Sequence, residues 1–152
     1  MPTPTARLAE LGITLPQIVP PLAAYVPAAR TGSLVYTSGQ LPMVDGHLSQ
    51  SGKLGAEVSA EQGYALARQC ALNGLAAIDG LVGIDRIVRV VKVVGFVASD
   101  PSFTGHPTVV NGASDLLGEV FGDAGKHARS AVGVASLPLD APVEVELIVE
   151  IS

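Results

Sequence analysis

Three stretches of the chain predict an α+β fold: a two-layer sandwich of a mixed sheet with two helices on one face. Residues 143–151, VEVELIVEI, alternate Val143, Val145, Leu147, Val149 and Ile151 with Glu144, Glu146, Ile148 and Glu150. That period of two belongs to a strand with one apolar face and one mostly acidic face. Ser59 and Gln62 make a capping box, after which Tyr64, Ala67, Ala71, Leu75, Ile78 and Leu81 recur at helical spacing. Residues 86–99, RIVRVVKVVGFVAS, are too β-branched for a comfortable helix and read as a central strand.

The other elements follow in order. TARLAELG (5–12) predicts a short helix with Thr5 as N-cap and Gly12 as stop. Pro16, Pro20, Pro21 and Pro27 break the next segment into an extended connector. Residues 1–20 are therefore read as helix and connector at the head of one domain spanning 1–152. GSLVYTSG (32–39) reads as a strand, Asp45-Gly46 as a turn, and HLSQSGKLG (47–55) as an open surface loop. Glu61 suits the positive end of the long helix, which Gly80 and Gly83 terminate. In the 86–99 strand a bulge is expected at Gly95, and Asp100-Pro101 turns the chain. A helix from Thr108 to Phe121 should bury Val109, Leu116, Leu117, Val120 and Phe121, and two strands follow it. The order suggests two α/β halves of similar plan, although no sequence repeat is visible. With both helices on one face, the other face needs a cover, and subunit packing is the obvious one.

Composition narrows the function. A chain of 152 residues suits one domain with a proper core. It is 48% apolar and only 15% charged, against roughly 25% charged in ordinary domains; another subunit is expected to cover part of its surface. Net charge is −5 with no run of Lys or Arg, which argues against a polyphosphate partner. Tryptophan is absent, so a platform for stacking bases would be thin. Cys70 is the only cysteine; it is expected to pack inside the long helix, and the absence of any intrachain disulfide fits a reducing, cytoplasmic setting. The stretch MPTPTARLAELG lacks a signal peptide's apolar segment, and no run is long enough to span a membrane. Dinucleotide, P-loop, zincin and nucleophile-elbow motifs are missing. His47, His106 and His127 lack metal-ligand spacing, so no metal is expected.

One cation asks for an explanation. In HARSAVGV (127–134), Arg129 is the last basic residue, and Asp140, Glu144, Glu146 and Glu150 follow with no Lys or Arg. It opens a run that otherwise reads as buried strand. Pairing with Glu144 or Glu146 across neighbouring strands is one role, worth about 0.2–1 kcal/mol; holding a ligand's acid group is another.

VYTSGQLP (35–42), VVNGASDLLGEVFG (109–122), ARSAVGVASLP (128–138) and VEVELI (143–148) together resemble the RidA/YjgF family, over about residues 20–151. The family includes reactive-intermediate deaminases, and some relatives carry the labels "translation inhibitor" or "endoribonuclease L-PSP". The resemblance implies a chorismate-mutase-like fold, a homotrimer with three clefts between subunits, and hydrolysis of 2-imino acids or enamines to 2-keto acids and ammonia without any cofactor. By position it implies that Arg129 holds the substrate carboxylate and that Glu144 is the acid near the imine and its water. Tyr25 would supply an aromatic wall, Ser38 and Gly39 a loop whose backbone faces the ligand, and Asn111 a polar neighbour of the cleft. Ala131 stands where many members have Cys and would contribute its backbone N–H. Gly133 and Ser136 replace a common Glu and Arg, which bears on substrate size and identity. Two rival functions stay open: a non-catalytic binder of small carboxylates, and a ribonuclease or translation inhibitor. For single residues the plainer roles are solvent exposure for Glu144, packing for Tyr25 and a helix-end hydrogen bond for Asn111.

Overall fold

The C-terminal strand organises the sheet. The computed structural model describes residues 2–18, 21 and 23–152. Its elements are α1 (Pro4–Glu10), β1 (Ala28–Thr31), β2 (Leu34–Thr37), β3 (Met43–Val44), β4 (His47–Leu48), α2 (Ala60–Val82), β5 (Ile87–Ala98), α3 (His106–Phe121), β6 (Ala128–Val134) and β7 (Val143–Ile151). The five-stranded sheet has the order β1-β2-β7-β5-β6. All neighbours are antiparallel except β5 and β6, which run parallel because α3 carries the chain between them. The expected mixed sheet with helices on one face is therefore what forms.

Alternation on β7 decides the layers. Val143, Val145, Leu147, Val149 and Ile151 are buried beneath α2 and α3, where they meet Ala71, Leu75, Ile78, Val109 and Leu116. The two helices touch at Gly112, where any Cβ would run into the Tyr64 carbonyl. Cys70 is fully buried and its thiol donates weakly to the Val143 carbonyl, 3.7 Å away. The opposite face carries Leu34, Val94, Phe96 and Ile148, all partly exposed, with Tyr36 at 40% and Val132 at 43% exposure. Nothing in the single chain covers that face among the described residues.

Several sequence expectations need correction. The first helix is capped by Thr3, whose side chain accepts from the Ala6 N–H, and Pro4 stands in its first turn. Thr5 lies inside the helix, where its own N–H donates to Asp85 Oδ1 at 2.8 Å. Part of the assumed connector is β1, which pairs with β2 as a hairpin; Pro20 lies outside the described residues. The presumed open loop 47–55 begins as the second strand of the β3–β4 hairpin and ends in fully buried Leu54. Gly80 sits within α2, Gly83 caps it, and Leu81 is 47% exposed rather than core. The irregularities of β5 fall between Ile87 and Arg89 and between Val90 and Lys92, not at Gly95. Gly95 instead makes room for Val110 of α3. The second long helix begins two residues early, at His106.

Candidate active site

Arg129 reaches across the sheet edge to α3. Its Nη1 donates to Asn111 Oδ1 at 2.8 Å and to Ser114 Oγ at 3.2 Å. Asn111 and Ser114 are three apart on one helix, hence on one face, and both present neutral acceptors. No carboxylate among the described residues lies within ion-pair distance of Arg129; the ion pairs are Arg7–Glu10, Lys53–Asp140, Arg68–Glu119 and Lys126–Asp123. The cross-strand pairing with Glu144 or Glu146 therefore does not form. Asn111 serves this arginine rather than a helix end. Next to it, burial pushes the His127 imidazole down from its ordinary value, and the Arg129 charge adds to the effect.

Register separates Arg129 from Glu144. Arg129 pairs with Val93 and Glu144 with Phe96. Residues three apart on β5 point to opposite faces. Arg129 thus lies on the helix-covered side at the β6 edge, with Ala131 two residues on, half-buried against the core. Glu144 lies on the open side of the central strand. Desolvation holds its carboxyl above the usual range, and the neighbouring Glu146 charge raises it further. Simple solvent exposure does not describe it.

Glu144 is joined there by the TSGQ loop. β2 and β7 pair Tyr36 with Ile148, but the next bridge joins Gln40 to Val145, so the loop strand carries one extra residue. The main chain is lifted at Ser38, whose N–H donates to the Pro27 carbonyl at 2.8 Å and whose Oγ donates to the Val26 carbonyl at 2.6 Å. Gly39 then passes directly over the acid: a Cβ at 39 would stand 2.6 Å from Glu144 Oε2. Tyr25 borders the same region and is 59% exposed, so it is not a packed core residue. A cavity of about 690 Å³ adjoins Tyr25, Ser38 and Gly39. The candidate residues thus fall in two groups: Arg129, Asn111 and Ala131 in one, and Tyr25, Ser38, Gly39 and Glu144 in the other. Ser114 was missed in the sequence, although its i+3 spacing from Asn111 was the signal. No trio of His, Cys, Asp or Glu among the described residues is arranged to hold a metal. No helix among them is long and apolar enough to cross a membrane.

The layer plan and strand order define the class: an α+β protein of the chorismate-mutase-like type. The chain belongs to the YjgF/RidA family, its residues 5–151 matching the family model described as "YjgF/chorismate_mutase-like, putative endoribonuclease". It is 46% identical over 149 residues to protein TCP17 of Trypanosoma cruzi, covering 97% of this chain and 93% of that protein. Among solved structures it resembles a protein of unknown function from Agrobacterium tumefaciens, with 45% identity, coverage of 99% and 94% of the two chains, and TM-score 0.90. It also resembles a "putative endoribonuclease" from Shewanella oneidensis, with 36% identity, coverage of 99% and 100%, and TM-score 0.94. Similarity extends to Escherichia coli TdcF with bound serine, at 27% identity, coverage of 90% and 93%, and TM-score 0.61.

Proposed function

We propose that the chain is a cytoplasmic, single-domain deaminase that hydrolyses reactive 2-imino or enamine acids to 2-keto acids and ammonia, in clefts between the subunits of a homotrimer. The observation that carries this reading is Arg129 itself. Its guanidinium is oriented through Nη1 by two neutral acceptors, while Nε and Nη2 have no partner among the described residues. A half-buried cation held in place without a counter-charge is prepared for an external carboxylate, which a guanidinium grips through two parallel N–H groups. The bound serine of TdcF is a small molecule that carries such a carboxylate.

The chemistry then needs water at the imine carbon and a group to move protons. Glu144, with its carboxyl held above the usual range, takes a proton from the attacking water as the C–O bond forms. It passes that proton to the imine nitrogen, giving a carbinolamine; a second transfer then carries the hydroxyl proton to the amine nitrogen as C=O forms and the C–N bond breaks, and ammonia leaves the keto acid. Such proton transfer contributes about 10²–10⁴-fold. Because Arg129 and Glu144 face opposite sides of one sheet, a site using both draws them from two copies, and the uncovered sheet face supports such an assembly. The family's endoribonuclease description supports a second reading, but a net charge of −5 with acidic β7 opposes a polyphosphate strand.

The test generates 2-imino acids with an amino-acid oxidase and follows keto-acid release. Wild type should accelerate release, and Arg129→Ala should lose the effect with its assembly intact. Inactivity across short, branched and aromatic imines, with tight binding of small carboxylates, would leave a non-catalytic binder. Cleavage of RNA at moderate salt would favour the nuclease.

A further inference from the structure

A second cavity opens at the C-terminal end of α3. It has a volume of about 490 Å³ and lies among Ser114, Gly118, Gly122, the Asp123–Lys126 ion pair and His127. Ser114 ties it to the candidate site, because its Oγ accepts from Arg129 Nη1 at 3.2 Å. His127 comes two residues before Arg129, so strand alternation puts both on the helix-covered side.

The main chain fixes the tautomer of His127. Its Nδ1 lies 3.0 Å from the Ala128 carbonyl, and a carbonyl only accepts, so Nδ1 carries the hydrogen. Nε2, on the far side of the ring, keeps its lone pair and has no partner among the described residues. Few charges surround it. Arg129 follows on the same segment, while Lys126 is held at the exposed rim by Asp123 at 3.2 Å. The cavity wall supplied by α3 is neutral, formed by Ser114 and Gly118. The acids of that helix, Asp115 and Glu119, are engaged by Tyr64 and Arg68 of α2. On β5, Lys92 pairs with Ala128 and so points to the opposite face.

Burial disfavours the charged imidazole, and the Arg129 charge adds to this, against the Ala128 hydrogen bond. A carboxylate gripped by Arg129 cancels the charge that opposes protonation. Binding of the acid and binding of the proton then favour each other by the same factor. We infer that a ligand's acid group enters the Arg129 site together with a proton, which His127 takes on Nε2. The loaded site holds two positive groups, one permanent and one acquired. The inference rests on the carboxylate-binding role of Arg129 in the proposed reaction. Because His127 holds its proton more tightly with the ligand in place, affinity is greatest on the acid side. It falls as pH rises from the free histidine's titration point to the bound one's.

Calorimetric titration of pyruvate in buffers of different ionisation enthalpy, from about pH 5 to about pH 9, counts the protons taken up without requiring turnover. If the free and bound titration points lie about one pH unit apart, uptake peaks near half a proton and affinity falls about tenfold across the range. His127→Gln should bind pyruvate with neither effect, and Glu144→Gln should keep both. A reading independent of the ligand comes from NMR titration of the His127 ring. Arg129→Gln should move its midpoint upward in the free protein, as should pyruvate in wild type. Pyruvate bound without proton uptake, uptake that survives His127→Gln, a midpoint unmoved by Arg129→Gln, or no binding of pyruvate overturns the inference. Proton uptake without turnover of any imine would sink the deaminase and leave the coupling standing; turnover with proton-neutral binding would do the reverse.

Discussion

Glu144 occupies an environment unlike that of the other acids on its strand. Burial makes its folded carboxyl keep a proton at pH values where the unfolded chain has lost it. Stability contributed by that proton is present below the ordinary carboxylate range and declines as pH rises through the raised folded value. Glu144→Gln removes the decline, so its urea midpoint should exceed that of wild type near neutral pH, with the gap closing toward about pH 4. The same change should slow imine hydrolysis by about 10²–10⁴-fold if Glu144 moves the proton. The motif resemblance named the candidate residues of both groups. Their separation was not legible in the sequence: it depends on the parity of β5 register, which one strand's alternation does not reveal. A helix-end role for Asn111 stayed open beside the cleft role because its partner Arg129 is eighteen positions away.

The helices and strands that were legible in advance are those whose pattern repeats many times. In α2 a capping box forms at Ser59 and Gln62 in both directions, and β7 alternates throughout its length. β1 was hidden because AART has one buried residue and no β-branched run; only pairing with β2 makes it a strand. Thr3 was overlooked as a cap because Thr5 looked equivalent, although Pro4 next to Thr3 marks the first turn. Leu54 reads as loop because its burial comes from tertiary contacts: its N–H donates to the Ala98 carbonyl at 2.9 Å, and its carbonyl accepts from Asp100. Helix contact is tightest at Gly112, where backbone meets backbone. Gly112→Ala should force α2 and α3 apart and cost roughly 1–3 kcal/mol, measured as a lowered midpoint in thermal unfolding. Gly118→Ala, on the same helix with open space around it, is the control that should not lower the midpoint.

Across the whole molecule, the sheet has one face covered by helices and one that no described residue covers, which is where the proposed subunits would meet. Val132 stands 43% exposed on the bare side, near Phe96 through the β5–β6 register. Val132→Lys places a charge where the proposed subunits meet, and sedimentation should then report a smaller species, together with loss of imine hydrolysis. An unaltered sedimentation profile would mean that copies meet elsewhere. The position of β6 has another consequence for such a variant. It ends the sheet, so one rim of its main chain has no neighbouring strand among the described residues to pair with, and Arg129 is its only charge. A liberated protomer would display that rim as a template for adventitious cross-chain zippering. Attempts to make a lone, well-behaved subunit should therefore protect this border first, for instance with an added lysine or proline, before removing any apolar contact.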